Sequence, residues 1–99
     1  HALIVPKAPS RNVLDADPAV LAKILPLVQK IAIAAKKAFA ADGITVWQLN
    51  EPAGGQTVFH LHYHVIPRYD GHGLRAHEGK MEDGEVLKAN AEKLKAALG

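Results

Sequence analysis

The sequence predicts an α+β fold: a small antiparallel sheet, one long helix on one face, and a second helix at the C-terminal end. Three observations carry this. β-rich stretches and helix-spaced apolar stretches follow one another in the order strand, helix, strand, strand, helix. The two central strands are joined by a turn-rich connection with no helix in it, which calls for antiparallel pairing. The chain has 99 residues, enough for a single domain spanning 1–99, and its 48% hydrophobic content suits a packed core.

Each element has a local cause. Ala2-Leu3-Ile4-Val5 is a short apolar run stopped by Pro6 and reads as a buried strand. Lys7 to Ala16 is a loop, with Pro9, Ser10 and Asn12 as turn formers. Asp17-Pro18 starts a helix, Asp as N-cap and Pro at the first helical position. Val20, Leu21, Ile24, Leu25, Val28, Ile31, Ala35, Ala38 and Phe39 then keep helical spacing up to a stop at Gly43. Pro26 is expected to kink or divide that helix near Ile24. Ile44 to Leu49 reads as a strand, Asn50 to Gly55 as a turn, and Val58 to Ile66 as a strand ended by Pro67. Arg68 to Glu82 shows no periodicity and reads as loop; Gly84 to Leu98 is helical, with Leu87, Ala91, Leu94 and Leu98 on one face. A three-stranded sheet is thin, a hint that more strands come from elsewhere.

Composition excludes several function classes. A net charge of +2 with scattered lysines does not fit a nucleic-acid-binding surface. No Cys rules out a disulfide scaffold, a Cys-ligated zinc site and a Cys nucleophile. No apolar run approaches the ~20 residues of a membrane span, so no membrane partner is expected. The expected location is cytoplasmic. Six His remain to be explained, three of them within five positions: His60, His62 and His64.

Side chains alternate along a strand, so these three point one way and Phe59, Leu61, Tyr63 and Val65 the other. The second set is what a sheet needs against a helix; packing does not explain the first. Three adjacent imidazoles repel one another when cationic, so some are neutral and able to act as nucleophile, base or ligand. Three readings compete: a solvated polar face, a metal site drawing a third ligand from His72, His77 or Glu78, and covalent chemistry at one His held by its neighbours. Gly54-Gly55-Gln56-Thr57 opens directly into the strand and favours the third. Glycines let backbone N–H groups turn toward an anion, and Gln56, Thr57 and Asn50 add neutral donors. Trp47 reads as strand core or dimer contact, and Tyr69, Arg75, His72 and His77 as solvated loop residues.

The run Gly55-Gln56-Thr57-Val58-Phe59-His60-Leu61-His62-Tyr63-His64-Val65-Ile66-Pro67-Arg68 resembles the signature of the histidine-triad (HIT) family, three His alternating with apolar residues. His1-Ala2-Leu3-Ile4-Val5-Pro6-Lys7 resembles the family's Gly-His-x-Leu-Val-x-Pro-Lys segment, and Asn50 stands where the family has a phosphate-contacting Asn. The resemblance implies a two-layer HIT-like sandwich and a hydrolase acting at the α-phosphate of a purine nucleotide derivative, a phosphoramidate or a dinucleoside polyphosphate. It implies His62 as nucleophile through a nucleotidyl-histidine, His60 orienting it, His64 donating to phosphate or to the bridging atom, and His1 completing the cluster near the leaving group. It further implies Asn50, Gly55, Gln56 and Thr57 around the phosphate, no required cofactor or metal, and a homodimer joined sheet edge to sheet edge through the strand Ile44 to Leu49. His64 in the third triad position, where the transferase branch resembles Gln, favours hydrolysis. Family members carry a further N-terminal segment before the Gly-His, so the N-terminal part of the fold is expected to be missing here. The alternatives are a nucleotide- or metal-binding module without turnover, zinc being the metal to test, and a dimeric interaction scaffold.

Overall fold

The computed structural model describes residues 1–71 and 84–98. His72, Arg75, His77 and Glu78, most of the predicted 68–82 loop, and the side chain of Leu87 lie outside the described residues. Three strands and two helices follow the predicted order: β1 (Ala2–Ile4), α1 (Pro18–Ala38), β2 (Gly43–Trp47), β3 (Tyr63–Arg68) and α2 (Gly84–Leu98). The sheet is antiparallel throughout, in the order β1-β3-β2, so the strand carrying the histidine run is central.

The α1 N-terminus forms as its sequence requires: the Asp17 side chain accepts from the Ala19 N–H at 2.8 Å, with Pro18 next to it. Ile24, Val28 and Ala35 are buried from this helix and meet Ile4, Leu61, Tyr63 and Val65 in one core. Burying each large aliphatic side chain contributes roughly 1.5–3 kcal/mol. α2 packs on α1, with Leu94 against the core; Ala91, expected on the packed face, is exposed.

Four local expectations are corrected. α1 runs through Pro26 as one helix. Pro26 is exposed, between exposed Leu25 and Leu27, so the freed carbonyl one turn back can meet water while Ile24 and Val28 hold the buried face. The helix ends at Ala38 with Phe39 as its C-cap, not at Gly43; Ala40 takes the left-handed turn (φ 49°) and Gly43 opens β2. β3 begins only at Tyr63 and continues through Pro67. Pairing with β1 stops at Val65, so Pro67 sits where β3 is paired on one side only and a missing N–H can face outward. Finally, α1 is by length and composition apolar enough to cross a membrane, which the sequence reading did not expect. Here one of its faces is the inner wall of the core, and Lys23 and Lys30 lie within its length.

Candidate active site

The alternation predicted for the histidine run is present although its first half is not strand. Leu61, Tyr63 and Val65 are 0%, 8% and 0% exposed, while His60, His62 and His64 are half-buried on the other side. Phe59 departs from this pattern: expected in the core, it is 48% exposed, with the Arg11 guanidinium 4.2 Å above its ring. Residues 58–60 are bent rather than extended, which breaks the parity there.

Each imidazole is fixed by a different partner. His62 Nδ1 lies 2.6 Å from the His60 carbonyl oxygen. A carbonyl only accepts, so Nδ1 carries a proton, and in the neutral ring the lone pair is on Nε2. His60 Nε2 likewise donates to the Pro6 carbonyl at 3.1 Å. His64 sits on the central strand between Leu3 of β1 and Trp47 of β2. Its Nδ1 is 2.8 Å from His1 Nε2, so one proton is shared between two facing nitrogens. The His62 and His64 rings meet edge to face at 4.9 Å between centroids. All four predicted histidines therefore form one chain of contacts. Beside them a groove of about 150 Å³ is lined by Leu3, Val5, Val58, His60 and His62. It pairs an apolar wall with two imidazoles.

The predicted donors are placed differently from expectation. The buried Gln56 amide is fully used inside the protein. Its Oε1 accepts from Glu51 N at 2.7 Å and Asn12 Nδ2 at 3.0 Å; its Nε2 donates to the Arg11 and Val58 carbonyls at 2.7 and 3.0 Å. The Gly55 and Gln56 amides close the turn around Pro52–Gly54, donating to Pro52 and Glu51 carbonyls. Asn50 exchanges hydrogen bonds with Gln48 and accepts from Val13 N, keeping one amide hydrogen. Thr57 is exposed and makes no hydrogen bond among the described residues, so its N–H and hydroxyl are uncommitted donors of this loop. Gly55 has φ 95°, a shape requirement that explains a glycine there.

Sequence reasoning passed over the residues that hold this loop. Asn12, read as a turn former, is 1% exposed and donates to Glu51 Oε2 at 2.5 Å. Arg11 grips the same carboxylate through Nε and Nη2 at 2.8 and 3.0 Å. These contacts, Arg11 first, hold the Glu51 carboxyl below its ordinary value. The opposite charges of Arg11 and Glu51, in the two loops flanking β1 and β2, were the available signal. Among the described residues no group of three or more His, Cys, Asp or Glu is arranged to hold a metal ion.

A histidine row on the central strand of a small antiparallel sheet, backed by one long helix and joined by a histidine ahead of β1, defines a histidine-triad protein. The chain belongs to the HIT family: the HIT domain model matches residues 1–71. The family includes nucleotide-binding proteins and nucleotide hydrolases. The crystal structure of a Hit-like protein involved in cell-cycle regulation from Bartonella henselae matches with a TM-score of 0.90 and 53% identity, over 96% of this chain and 68% of that one. A histidine triad nucleotide-binding protein from Sulfolobus tokodaii matches with a TM-score of 0.87 and 27% identity, over 97% of this chain and 67% of that one. An adenylylsulfatase of Arabidopsis thaliana is 33% identical over 83% of this chain and 45% of its own length. The chain spans about half the length of such curated relatives.

Proposed function

We propose that the protein is a nucleotidyl hydrolase that cleaves at the α-phosphate of a purine nucleotide derivative, with His62 as nucleophile. The observation that carries this is the 2.6 Å contact between His62 Nδ1 and the His60 carbonyl. It puts the proton on Nδ1 and leaves Nε2 basic, which is the state an attacking imidazole needs. The adenylylsulfatase among the relatives supports chemistry on an adenylyl group.

In the first step the Nε2 lone pair forms a bond to the α-phosphorus and the bond to the leaving group breaks. The His1–His64 pair, entering with one proton beyond its neutral state, gives that proton to the departing atom and is left neutral. In the second step water attacks the phosphorus, the P–Nε2 bond breaks, and the water proton returns to the His1–His64 pair. Nucleoside monophosphate leaves. Thr57 offers uncommitted donors for charge on the nonbridging oxygens, and Asn50 one amide hydrogen. The apolar wall of Leu3, Val5 and Val58 takes an uncharged part of the ligand. Only protein groups and water take part, so no cofactor is called for. We further propose a homodimer through β2, an edge of the described sheet with Val46 44% exposed, and a cytoplasmic setting.

The test is turnover of an adenosine phosphoramidate and of a diadenosine polyphosphate, with acid-quenched samples searched by mass spectrometry for a nucleotidyl adduct on His62. His62→Ala is expected to lose at least ~10³-fold in kcat. Wild-type turnover by that variant ends the covalent reading.

A further inference from the structure

The segment between β1 and α1 reaches the histidine run through its own backbone carbonyls. Pro6 O accepts from His60 Nε2, Ser10 O from Leu61 N at 2.9 Å, and Arg11 O from Gln56 Nε2 at 2.7 Å. The middle contact matters most. The Leu61 N–H belongs to the same peptide unit as the His60 carbonyl that accepts from His62 Nδ1. One peptide plane is thus held at both ends, and the hydrogen bonds run in series: Ser10 carbonyl, His60–Leu61 peptide, His62 imidazole. Bonds in such a chain polarise one another, and each fixes the direction of the next.

What keeps Ser10 in place is the polar cluster next to it. Arg11 and Asn12 both bind the Glu51 carboxylate, and Asn12 and the Glu51 N–H both bind Gln56 Oε1. The Asp15 carboxylate accepts from the Arg11 and Asn12 N–H groups at 2.9–3.0 Å and fixes the backbone of this turn. Glu51 itself stands at φ 67°, a left-handed conformation that a non-glycine residue keeps only where its surroundings hold it. Asn12 and Gln56 are buried polar side chains, costly to place unless fully bonded. Core stability alone does not call for them; a loop that must present one carbonyl to one imidazole does.

We propose that Arg11, Asn12 and Glu51 are positioning residues for His62, setting its tautomer and aim through the Ser10 carbonyl and the His60–Leu61 peptide. This rests on the reading of His62 as nucleophile. None of the three touches the groove.

The experiment is long-range ¹H–¹⁵N NMR of the protein labelled on histidine nitrogens, combined with kinetics on the phosphoramidate. Wild type is expected to show His62 with its proton on Nδ1. Asn12→Ala and Glu51→Ala are expected to mix the two tautomers and to lower kcat about 10- to 100-fold with KM within about threefold, as small misplacements do. Glu51→Gln, which still accepts from Asn12, is expected to recover much of both. Arg11→Gln alters an exposed side chain and serves if the Asn12 and Glu51 variants do not fold. A folded variant with wild-type His62 tautomer and wild-type kcat overturns the proposal. The His62→Ala assay fails separately, because the tautomer is read without turnover.

Discussion

His1 Nε2 and His64 Nδ1 face each other at 2.8 Å, and the indole of Trp47 lies edge-on to His64 at 6.0 Å between centroids. Two imidazoles in this contact hold one proton between them. A second proton would set two N–H groups head to head and break the contact.

Trp47 is the single Trp of the chain and reports this event. Its emission is expected to fall as acidification makes His64 an imidazolium. In His64→Gln the pH-dependent step should vanish; in His1→Ala it should move. An unchanged step in His64→Gln would mean that another group quenches Trp47.

Glu51 and Asp15 make folding sensitive to acid. Arg11 and then Asn12 hold the Glu51 carboxyl below its ordinary 4.5, and the Asn12 and Arg11 N–H groups hold that of Asp15 below 3.8. Below those values the unfolded chain binds more protons than the folded one, so stability rises with pH there. It is complete above about pH 4.5 and declines as pH falls through the lowered folded values. Urea midpoints in acid should show this slope, and Glu51→Gln should flatten it, leaving the share of Asp15.

Leu61 is fully buried between two site histidines. Leu61→Ala is expected to lose about 2–5 kcal/mol in urea unfolding, the cost of an unfilled core position. A loss under 1 kcal/mol would show that the site collapses around the gap.

Gly54 and Gly55 stand side by side but differ in kind. Gly55 has φ 95°, and an added Cβ would meet Leu49 Cδ1 at 3.4 Å; at Gly54 nothing lies within 4 Å. Gly55→Ala is expected to cost about 1–2 kcal/mol, and Gly54→Ala a few tenths. Equal thermal shifts in the two variants would contradict the assignment.

Much of the fold was legible because its signals are local. Asp17-Pro18 caps a helix whatever surrounds it, and the parity of Leu61, Tyr63 and Val65 against His60, His62 and His64 survives a late strand start. Pro26 and Pro67 misled for the converse reason: the penalty of a proline depends on whether the groups it leaves unbonded find another partner. The carbonyl freed by Pro26 lies on an exposed face, and Pro67 sits where β3 is paired on one side only. That His60, His62 and His64 share one face was readable from spacing, and resemblance added His1 to them; their contacts were not. Gln56 was readable as a member of the loop but not as an inward staple.

By itself the sequence determined the element order and the apolar and histidine faces of the central strand. Those follow from periodicity and backbone sterics, which operate over a few residues. Only the tertiary structure decided which donors stay open and what holds His62. Arg11 and Glu51 are 40 positions apart, and His1 and His64 are 63 apart. Which of their hydrogen bonds form depends on how the β1–α1 loop folds onto the histidine run, and a buried amide must take whatever partners that packing brings within reach.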